Sequence, residues 1–352
     1  LPLPWARDYY NMGCTEIMIQ GKDSIWTGAG GLVFPSMLAA RIDKSVRENV
    51  LYASFEALMC DFLDDIRDEV RSAGENGLRA VRAQRAANCD PFASSLVDSC
   101  LKNGLDYFKG GTDCGEPLSI SAHGLGTASD SLSVIKKFVF ETKMYTLAQI
   151  AEMTRKNFEG YEDVRIRLVN SAPSYGNDLD EVDEIAKRLF DTYSSEVRKL
   201  NETAIPKTRY VNNVFSYNTH ISQGECLGAT PNGRRAGEPI SDCVGPTQGH
   251  DSKGLTALLN SVLKLSADDV TGAYALNVKI SPSLMRDEAG EKAIEHLLRA
   301  YMMRRGAQIQ VNYVRPEDLR DAQLHPEKHR DLVVRIAGYC EYFANLDHSL
   351  QN

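Results

Sequence analysis

The sequence contains no long hydrophobic segment, and no apolar run approaches the roughly 20 residues that a membrane-spanning helix needs. Its first residues, Leu1-Pro2-Leu3-Pro4-Trp5, lack the charged stretch followed by an apolar stretch that marks a secretory signal peptide. Both absences argue against a membrane-spanning or exported protein. We therefore expect a cytoplasmic location.

Nucleotide-binding motifs are also missing. Neither GxxxxGK[ST] nor a GxGxxG that opens a helix is present, so a nucleotide-binding fold has no support. The formal net charge is −8, from 40 Lys and Arg against 48 Asp and Glu, which argues against nucleic acid or an anionic membrane as the main partner. Hydrophobic residues make up 43% and charged residues 25%, which excludes a disordered or low-complexity chain.

The eight cysteines include no CxxC pair, which argues against zinc, iron–sulfur or thioredoxin-like chemistry. A disulfide framework is not expected in a chain of 352 residues without a secretion signal. We expect most of the cysteines to be buried, reduced thiols. His123, His220 and His250 are scattered without an HExxH or carboxylate pattern, so we predict no metal site.

Hydrophobic periodicity predicts helices over most of the chain from Pro35 to Asn201. In the later half, β-branched and aromatic residues predict strands at 210–217, 273–280, 308–314 and 332–336, and helices at 253–265 and 288–305. Strands alternating with helices predict an α/β fold with a parallel or mixed sheet covered by helices.

Two Gly-rich segments, 24–31 and 224–249, are predicted to be loops, and Gly338 stands alone after the last predicted strand. Glycines of this kind are most often found in tight turns. Loops at strand ends are also where active sites tend to lie.

The residues around Gly338 carry the most informative motif. The segment from 318 to 339, which ends in Arg335-Ile336-Ala337-Gly338-Tyr339, resembles the C-terminal motif of the glycyl radical enzymes. Residues 228–239 resemble the TPDGR-type loop of that family, with Asn232 where Asp is usual, and residues 175–178 and 276–283 match as well. Gly13-Cys14-Thr15-Glu16 resembles the GCVE loop that holds the family's catalytic thiol, with Thr15 replacing Val.

The resemblance implies an α/β fold that forms half of a ten-stranded barrel with surrounding helices, in which the thiol loop and the glycine loop meet at the centre. It implies a thiol-loop and helical part at 1–230 and a C-terminal glycine-radical domain at 231–352. The catalytic residues would be Cys14, Glu16 and Gly338. No cofactor is expected to stay bound, since the radical is a modification of Gly338 that a separate radical S-adenosylmethionine activase installs.

The residue types at these positions suit hydrogen-atom chemistry. A radical at a backbone α-carbon is stabilised when the centre is planar, and glycine has no β-carbon to crowd it. A thiol S–H bond is close in strength to an activated C–H bond, so a hydrogen atom can pass between Gly338, Cys14 and a substrate carbon. On an extended loop, residues i and i+2 point the same way, so Glu16 can take a proton from the same substrate. The alternative interpretation of Glu16 is a solvated loop carboxylate.

The Cys-x-Glu pattern resembles the family's lyases and dehydratases, whereas its pyruvate-cleaving members carry two adjacent cysteines. We therefore expect elimination of a leaving group from a small polar substrate by C–O, C–N or C–S cleavage. A glycyl radical decarboxylase is an alternative. A non-catalytic radical-domain protein that repairs a partner would not need Cys14, and an anaerobic ribonucleotide reductase would carry a C-terminal cysteine cluster, which this sequence lacks.

In the family a long N-terminal portion precedes the thiol loop, whereas Cys14 here is the fourteenth residue. The resemblance therefore implies either a fragment or one subunit of a split enzyme. We expect an N-terminal half-barrel subunit as partner, together with the activase, and an oligomeric enzyme. Arg335 is expected to pair with a carboxylate or with carbonyl groups beside the glycine loop. Cys340 is expected to be a packed thiol.

Overall fold

The computed structural model describes residues 2–13, 16–24, 26–336 and 338–351. Its strands are β1 Tyr9–Met12, β2 Glu16–Ile19, β3 Thr27–Val33, β4 Glu116–His123, β5 Thr208–Asn213, β6 Asn277–Ile280, β7 Gln310–Tyr313, β8 Val333–Arg335 and β9 Cys340–Tyr342. Its α-helices are α1 Leu3–Arg7, α2 Phe34–Arg47, α3 Phe55–Ala87, α4 Pro91–Ser95, α5 Asp98–Asn103, α6 Leu125–Ile135, α7 Leu147–Arg155, α8 Glu162–Ser171, α9 Asp180–Leu200, α10 Thr219–Glu225, α11 Leu255–Val262, α12 Glu288–Met303, α13 Pro316–Leu324 and α14 His348–Gln351.

The central wall of the molecule is a row of parallel strands in the order β3-β4-β5-β6-β7. Strand β4 pairs in parallel with β3 on one side and with β5 on the other, and β6 pairs in parallel with β7. The two groups are joined at Val214, whose N–H donates to the carbonyl of Ala273 at 2.8 Å and whose carbonyl accepts from the N–H of Ala275 at 3.1 Å. This wall is the expected half-barrel, with helices on its outer face.

Two antiparallel hairpins flank the parallel wall. The thiol hairpin consists of β1, the connection 13–15 and β2, and it precedes β3. The glycine hairpin consists of β8, the turn 336–339 and β9, and it follows β7 after α13. Along the chain, one hairpin therefore precedes the parallel wall and the other follows it.

The main hydrophobic core lies between the wall and the helices α3, α6 and α9. Strand β4 shows why, since Leu118 and Ile120 face these helices and are fully buried, whereas Ser119 between them points to the other face. Helix α3 begins at a Ser54 cap and presents a continuous apolar stripe to the core. A separate small cluster of Ala322, Val334 and Phe343 packs beneath the glycine hairpin.

The prediction of a loop at 24–31 is wrong, because most of this segment belongs to strand β3. Its glycines serve close packing: a Cβ on Gly30 would lie 2.7 Å from Ala73 Cβ on α3, and a Cβ on Gly77 of α3 would lie 2.6 Å from Ala29 Cβ. Glycine on both elements therefore lets the strand and the long helix approach closely.

The later predicted strands are confirmed as β5 to β8, within a few residues at each end.

The expectation that most cysteines are buried is wrong. All seven cysteines of the described residues are free, and only Cys100 and Cys243 among them are buried.

None of the helices in the described part of the chain is both long and apolar enough to cross a membrane.

The close contact between β3 and α3 predicts a contrast between two glycines of one strand. Gly30→Ala should lower the free energy of unfolding by about 1–3 kcal/mol, because the added methyl overlaps Ala73. Gly28→Ala is the matched control, because nothing lies within 4 Å of its added Cβ. It should leave the free energy of unfolding unchanged. Urea unfolding of the two variants measures the difference. Equal stability of both would contradict this packing account.

Candidate active site

The thiol hairpin places its informative residues at the tip. Met12 pairs with Glu16 across the two strands, so residues 13–15 form the connection. Cys14 and Thr15 lie outside the described residues. Gly13 has a φ of +59°, in the left-handed region that glycine adopts without strain. Gly13 and Glu16 therefore lie at the end of a short hairpin, on either side of the two residues outside the described part of the chain.

Glu16 is buried, with 4% of its surface exposed, so the alternative of a solvated carboxylate is wrong. Its carboxylate folds back over Gly13: a Cβ on Gly13 would lie 2.8 Å from Glu16 Oε2 and 3.3 Å from Oε1. The missing side chain of Gly13 thus creates the space that the carboxylate occupies. Any other residue at position 13 would have to displace Glu16.

Asp23 ties the base of the thiol hairpin to the wall. One carboxylate oxygen accepts the N–H of Ile19 at 2.7 Å, and the other pairs with the guanidinium of Arg209 on β5 at 2.5 Å. Asp23 also forms a parallel bridge with Gly115, next to the start of β4. A carboxylate this deeply buried is stable only with such partners. The hairpin is therefore fixed at the amino-terminal ends of β4 and β5.

The glycine hairpin holds Gly338 in a hydrogen-bonded turn. Arg335 pairs with Cys340 across the strands, and the N–H of Ile336 donates to the carbonyl of Tyr339 at 3.0 Å. The expectation of a packed thiol at Cys340 is wrong, since Cys340 is exposed. Arg335 donates to an amide carbonyl oxygen, Oε1 of Gln310, at 2.8 Å, so it pairs with a carbonyl group rather than a carboxylate.

The loop 228–239 is built around a buried arginine. The guanidinium of Arg234 donates to the backbone carbonyls of Leu227, Gly228 and Glu238 and to the Thr230 hydroxyl. Burial lowers the pKa of Arg234 to about 10, although the charge of Glu238 opposes the shift. Arg234 therefore folds the loop on itself. It has few donors left for a ligand.

A buried carboxylate on α6 organises the next loop. Asp130 accepts the N–H of Tyr175 at 2.7 Å, the Thr247 hydroxyl at 2.7 Å and Nδ1 of His250 at 3.2 Å. Burial acts to lower the pKa of His250, but the hydrogen bond to Asp130 and that carboxylate's charge outweigh it and raise the pKa. Sequence analysis missed this pair, because 120 residues separate its members.

The pKa values of His123 and His220 are lowered, in contrast to the raised pKa of His250. Burial, helped by the nearby His220, lowers the pKa of His123 to about 4, so its imidazole is neutral near pH 7. Burial also lowers the pKa of His220, and the charge of Asp242 opposes that shift. Within the described residues, no three His, Cys, Asp or Glu side chains are close enough together to hold a metal ion.

A cavity of about 670 Å³ lies between the segment 220–250, which begins in α10, and the glycine hairpin. Its lining includes polar side chains, among them His220, Asp242, His250 and Lys279, and apolar side chains of the C-terminal segment. Arg335 and Ile336 also border this space. The glycine hairpin is therefore not packed against the segment 220–250 on this side.

Two family models match the chain. The model described as pyruvate formate lyase-like covers residues 2–224, and the model described as glycine radical covers residues 240–344.

The relatives include dehydratases and a sulfite-lyase. The trans-4-hydroxy-L-proline dehydratase of Clostridioides difficile is 36% identical over 74% of this chain and 33% of its own length. The isethionate sulfite-lyase of Bilophila wadsworthia is 38% identical over 99% of this chain and 43% of its own. The glycerol-bound B12-independent glycerol dehydratase from Clostridium butyricum superposes with a TM-score of 0.90 at 29% identity, over 100% of this chain and 45% of that one. The chain spans less than half the length of these relatives.

The raised pKa of His250 predicts a pH-dependent contribution to stability. The pair of His250 and Asp130 stabilises the fold fully when the pH is below the pKa of histidine in the unfolded chain, about 6.5. This contribution is lost as the pH rises through the higher pKa that His250 has in the folded protein. His250→Gln should therefore destabilise the protein more at about pH 5 than at about pH 9. The exposed His296→Gln is the control and should show no such difference. Thermal unfolding at the two pH values measures the effect, and a larger loss at the higher pH would contradict it.

Proposed function

Because the chain belongs to the pyruvate formate-lyase-like family of glycyl radical enzymes, we propose that it forms the catalytic half of a glycyl radical dehydratase or lyase acting on a small polar substrate. The observation that carries the proposal is the pair of hairpins on one half-barrel, with a buried carboxylate next to the thiol position and a glycine in the other tip. Relatives named as dehydratases and a sulfite-lyase support this reaction class.

In this proposal Gly338 stores the radical and Cys14 delivers it to the substrate. A radical S-adenosylmethionine activase with an iron–sulfur cluster first removes one hydrogen atom from Gly338. Gly338 then takes a hydrogen atom from the Cys14 thiol. Cys14 in turn takes one from the substrate carbon that bears a hydroxyl group. Each step exchanges one S–H or C–H bond for another, so no further oxidant is required.

Glu16 serves as the general base. Its carboxylate accepts the proton of the substrate hydroxyl, and the bond from the neighbouring carbon to the leaving group breaks, with the electron pair departing on that group. The substrate, now a carbonyl compound with the radical on the adjacent carbon, takes a hydrogen atom back from Cys14. The proton held by Glu16 passes to the leaving group, and the Cys14 radical takes a hydrogen atom from Gly338, so the products are an aldehyde or ketone and the protonated leaving group. Burial of Glu16 supports the role, since a water-free carboxylate needs no desolvation when the substrate binds.

We also propose that an N-terminal half-barrel, as a separate subunit, completes the active site. Within the described residues, strands β3 and β7 end the parallel wall on its two sides, so each leaves one row of backbone groups open to further strand pairing. Tyr9, Tyr10 and Ile17 on the thiol hairpin are exposed apolar side chains. A partner subunit that supplies both an apolar surface and further strands would cover the exposed side chains and pair with the open strand edges.

We also propose that the chain divides into a thiol-loop and helical part at 1–230 and a glycine-radical domain at 231–352.

The radical assignment predicts a specific spectrum. The complete enzyme, activated anaerobically, should show a doublet in electron paramagnetic resonance, because one α-hydrogen remains on the Gly338 radical. Gly338→Ala should abolish the doublet. Cys14→Ser should retain it but lose turnover. A doublet that survives Gly338→Ala, or turnover that survives Cys14→Ser, would contradict the assignment.

The contact between Gly13 and Glu16 predicts that a methyl group at position 13 impairs catalysis by moving the base. Gly13→Ala should lower kcat by roughly 10²-fold, at the lower end of what loss of a general base costs, and Glu16→Gln by 10²-fold or more. Gly21→Ala is the matched control, because Gly21 also has a positive φ, of +68°, but nothing lies within 4 Å of its added Cβ. Steady-state kinetics of the three variants measure this. An equal loss in Gly13→Ala and Gly21→Ala would assign the effect to backbone strain alone.

A further inference from the structure

The side chain of Asn312 on β7 makes two hydrogen bonds to the backbone of a single residue in the glycine hairpin. Its Oδ1 accepts the N–H of Arg335 at 2.7 Å, and its Nδ2 donates to the carbonyl of Arg335, also at 2.7 Å. The side-chain amide thus takes the place of a strand neighbour and pairs both backbone groups of Arg335. Gln310, two residues earlier on β7, holds the Arg335 side chain.

From this geometry we propose that the Asn312–Arg335 clamp is the positioning device for Gly338, so that Asn312 sets the distance between the radical carbon and the catalytic thiol. In this proposal Asn312 is a positioning residue: it borders the cavity of about 670 Å³ and acts on Gly338 through Arg335. The inference rests on the proposed function, because the distance has catalytic meaning only if Gly338 carries the radical.

The surroundings of the glycine hairpin make the clamp important. The apolar side chains beneath the hairpin belong to the small cluster of Ala322, Val334 and Phe343, which is separate from the main core. On another side lies the cavity of about 670 Å³, so the hairpin does not pack tightly against the segment 220–250. Among the described residues, the hydrogen bonds that join β8 and β9 to the parallel wall all involve Arg335.

The position of Arg335 transmits the effect to Gly338. Arg335 is the last residue of β8, and the turn that contains Gly338 closes one residue later through the hydrogen bond from Ile336 to Tyr339. A shift of Arg335 therefore moves the whole turn. Hydrogen-atom transfer requires near contact of the reacting atoms, and a misplacement of about 1 Å can cost a reaction roughly 10²-fold.

The first experiment measures hydrogen exchange of the unactivated full enzyme. Asn312→Asp preserves the size of the side chain and one acceptor but replaces the donor to the Arg335 carbonyl by a second oxygen. Deuterium uptake, followed by mass spectrometry, should rise in peptides covering 333–342 and stay unchanged in peptides from the main core. Asn103→Asp, an exposed change on α5, is the control and should leave both regions unchanged. Unchanged uptake in 333–342 of Asn312→Asp would overturn the proposal.

The second experiment measures the kinetics of the same variants after anaerobic activation. Asn312→Asp should lower kcat by about 10-fold to 10²-fold and leave KM unchanged if, as proposed, the substitution alters only the distance of hydrogen-atom transfer. Equal losses in kcat and radical yield, or a rise in KM alone, would overturn the positioning role. Asn312→Ser, which removes the donor without adding charge, repeats the test if Asn312→Asp fails to fold.

The two measurements distinguish this proposal from the proposed function. If the wild-type enzyme shows neither a doublet nor turnover, the function assigned to Gly338 fails, while hydrogen exchange still decides whether Asn312 holds the hairpin. If the doublet and turnover are present and Asn312→Asp changes neither kcat nor hydrogen exchange, the clamp alone is refuted.

Discussion

Transfer of a hydrogen atom between a backbone carbon and a thiol works only over near-contact distances and away from water, and this constraint governs the proposed account of the whole chain. Two short hairpins carry the relevant positions, and both are attached to a single parallel wall. A hairpin alone is marginally stable, so its tip is only as well placed as its base. The structure fixes one hairpin at its base through Asp23 and the other beside its turn through Arg335.

Buried polar groups in this molecule mainly hold loops in place. Asp23, Asp130 and Arg234 are each almost completely buried, and each has several hydrogen-bond or charged partners. A buried charge without such partners would cost several kcal/mol, so the partners and the loop conformations depend on one another. Glu16 is buried as well, and its carboxylate occupies the space left by Gly13 at the end of the thiol hairpin. This placement suits a group that must act on a substrate.

The sequence predicted some elements well for identifiable reasons. Residues 210–214 and 308–313 are rich in β-branched and aromatic types, and they form β5 and β7. Strand β3 was mistaken for a loop because its glycines, which indicate turns in most contexts, here allow close approach of α3. Strand β4 could have been found from the alternation of Leu118, Ile120 and Ala122 with polar residues.

The long-range contacts between side chains could not be predicted from the sequence. The contacts of Asp130 with His250 and of Asn312 with Arg335 join residues that no local pattern connects. The motifs around Gly13 and Gly338 predict the site residues, and the structure adds how Glu16 and the turn that contains Gly338 are placed.

The central claim, that the two hairpin tips meet in the working enzyme, is tested most directly by exchange of the Gly338 α-hydrogen with solvent. A thiol proton exchanges rapidly with water, so a thiol that passes hydrogen atoms to and from Gly338 will deliver deuterium to that carbon in D₂O. The account predicts that the doublet of the activated wild-type enzyme collapses to a singlet in D₂O, and that it persists in Cys14→Ser. A doublet that persists in the wild type, or collapses equally in Cys14→Ser, would contradict the claim.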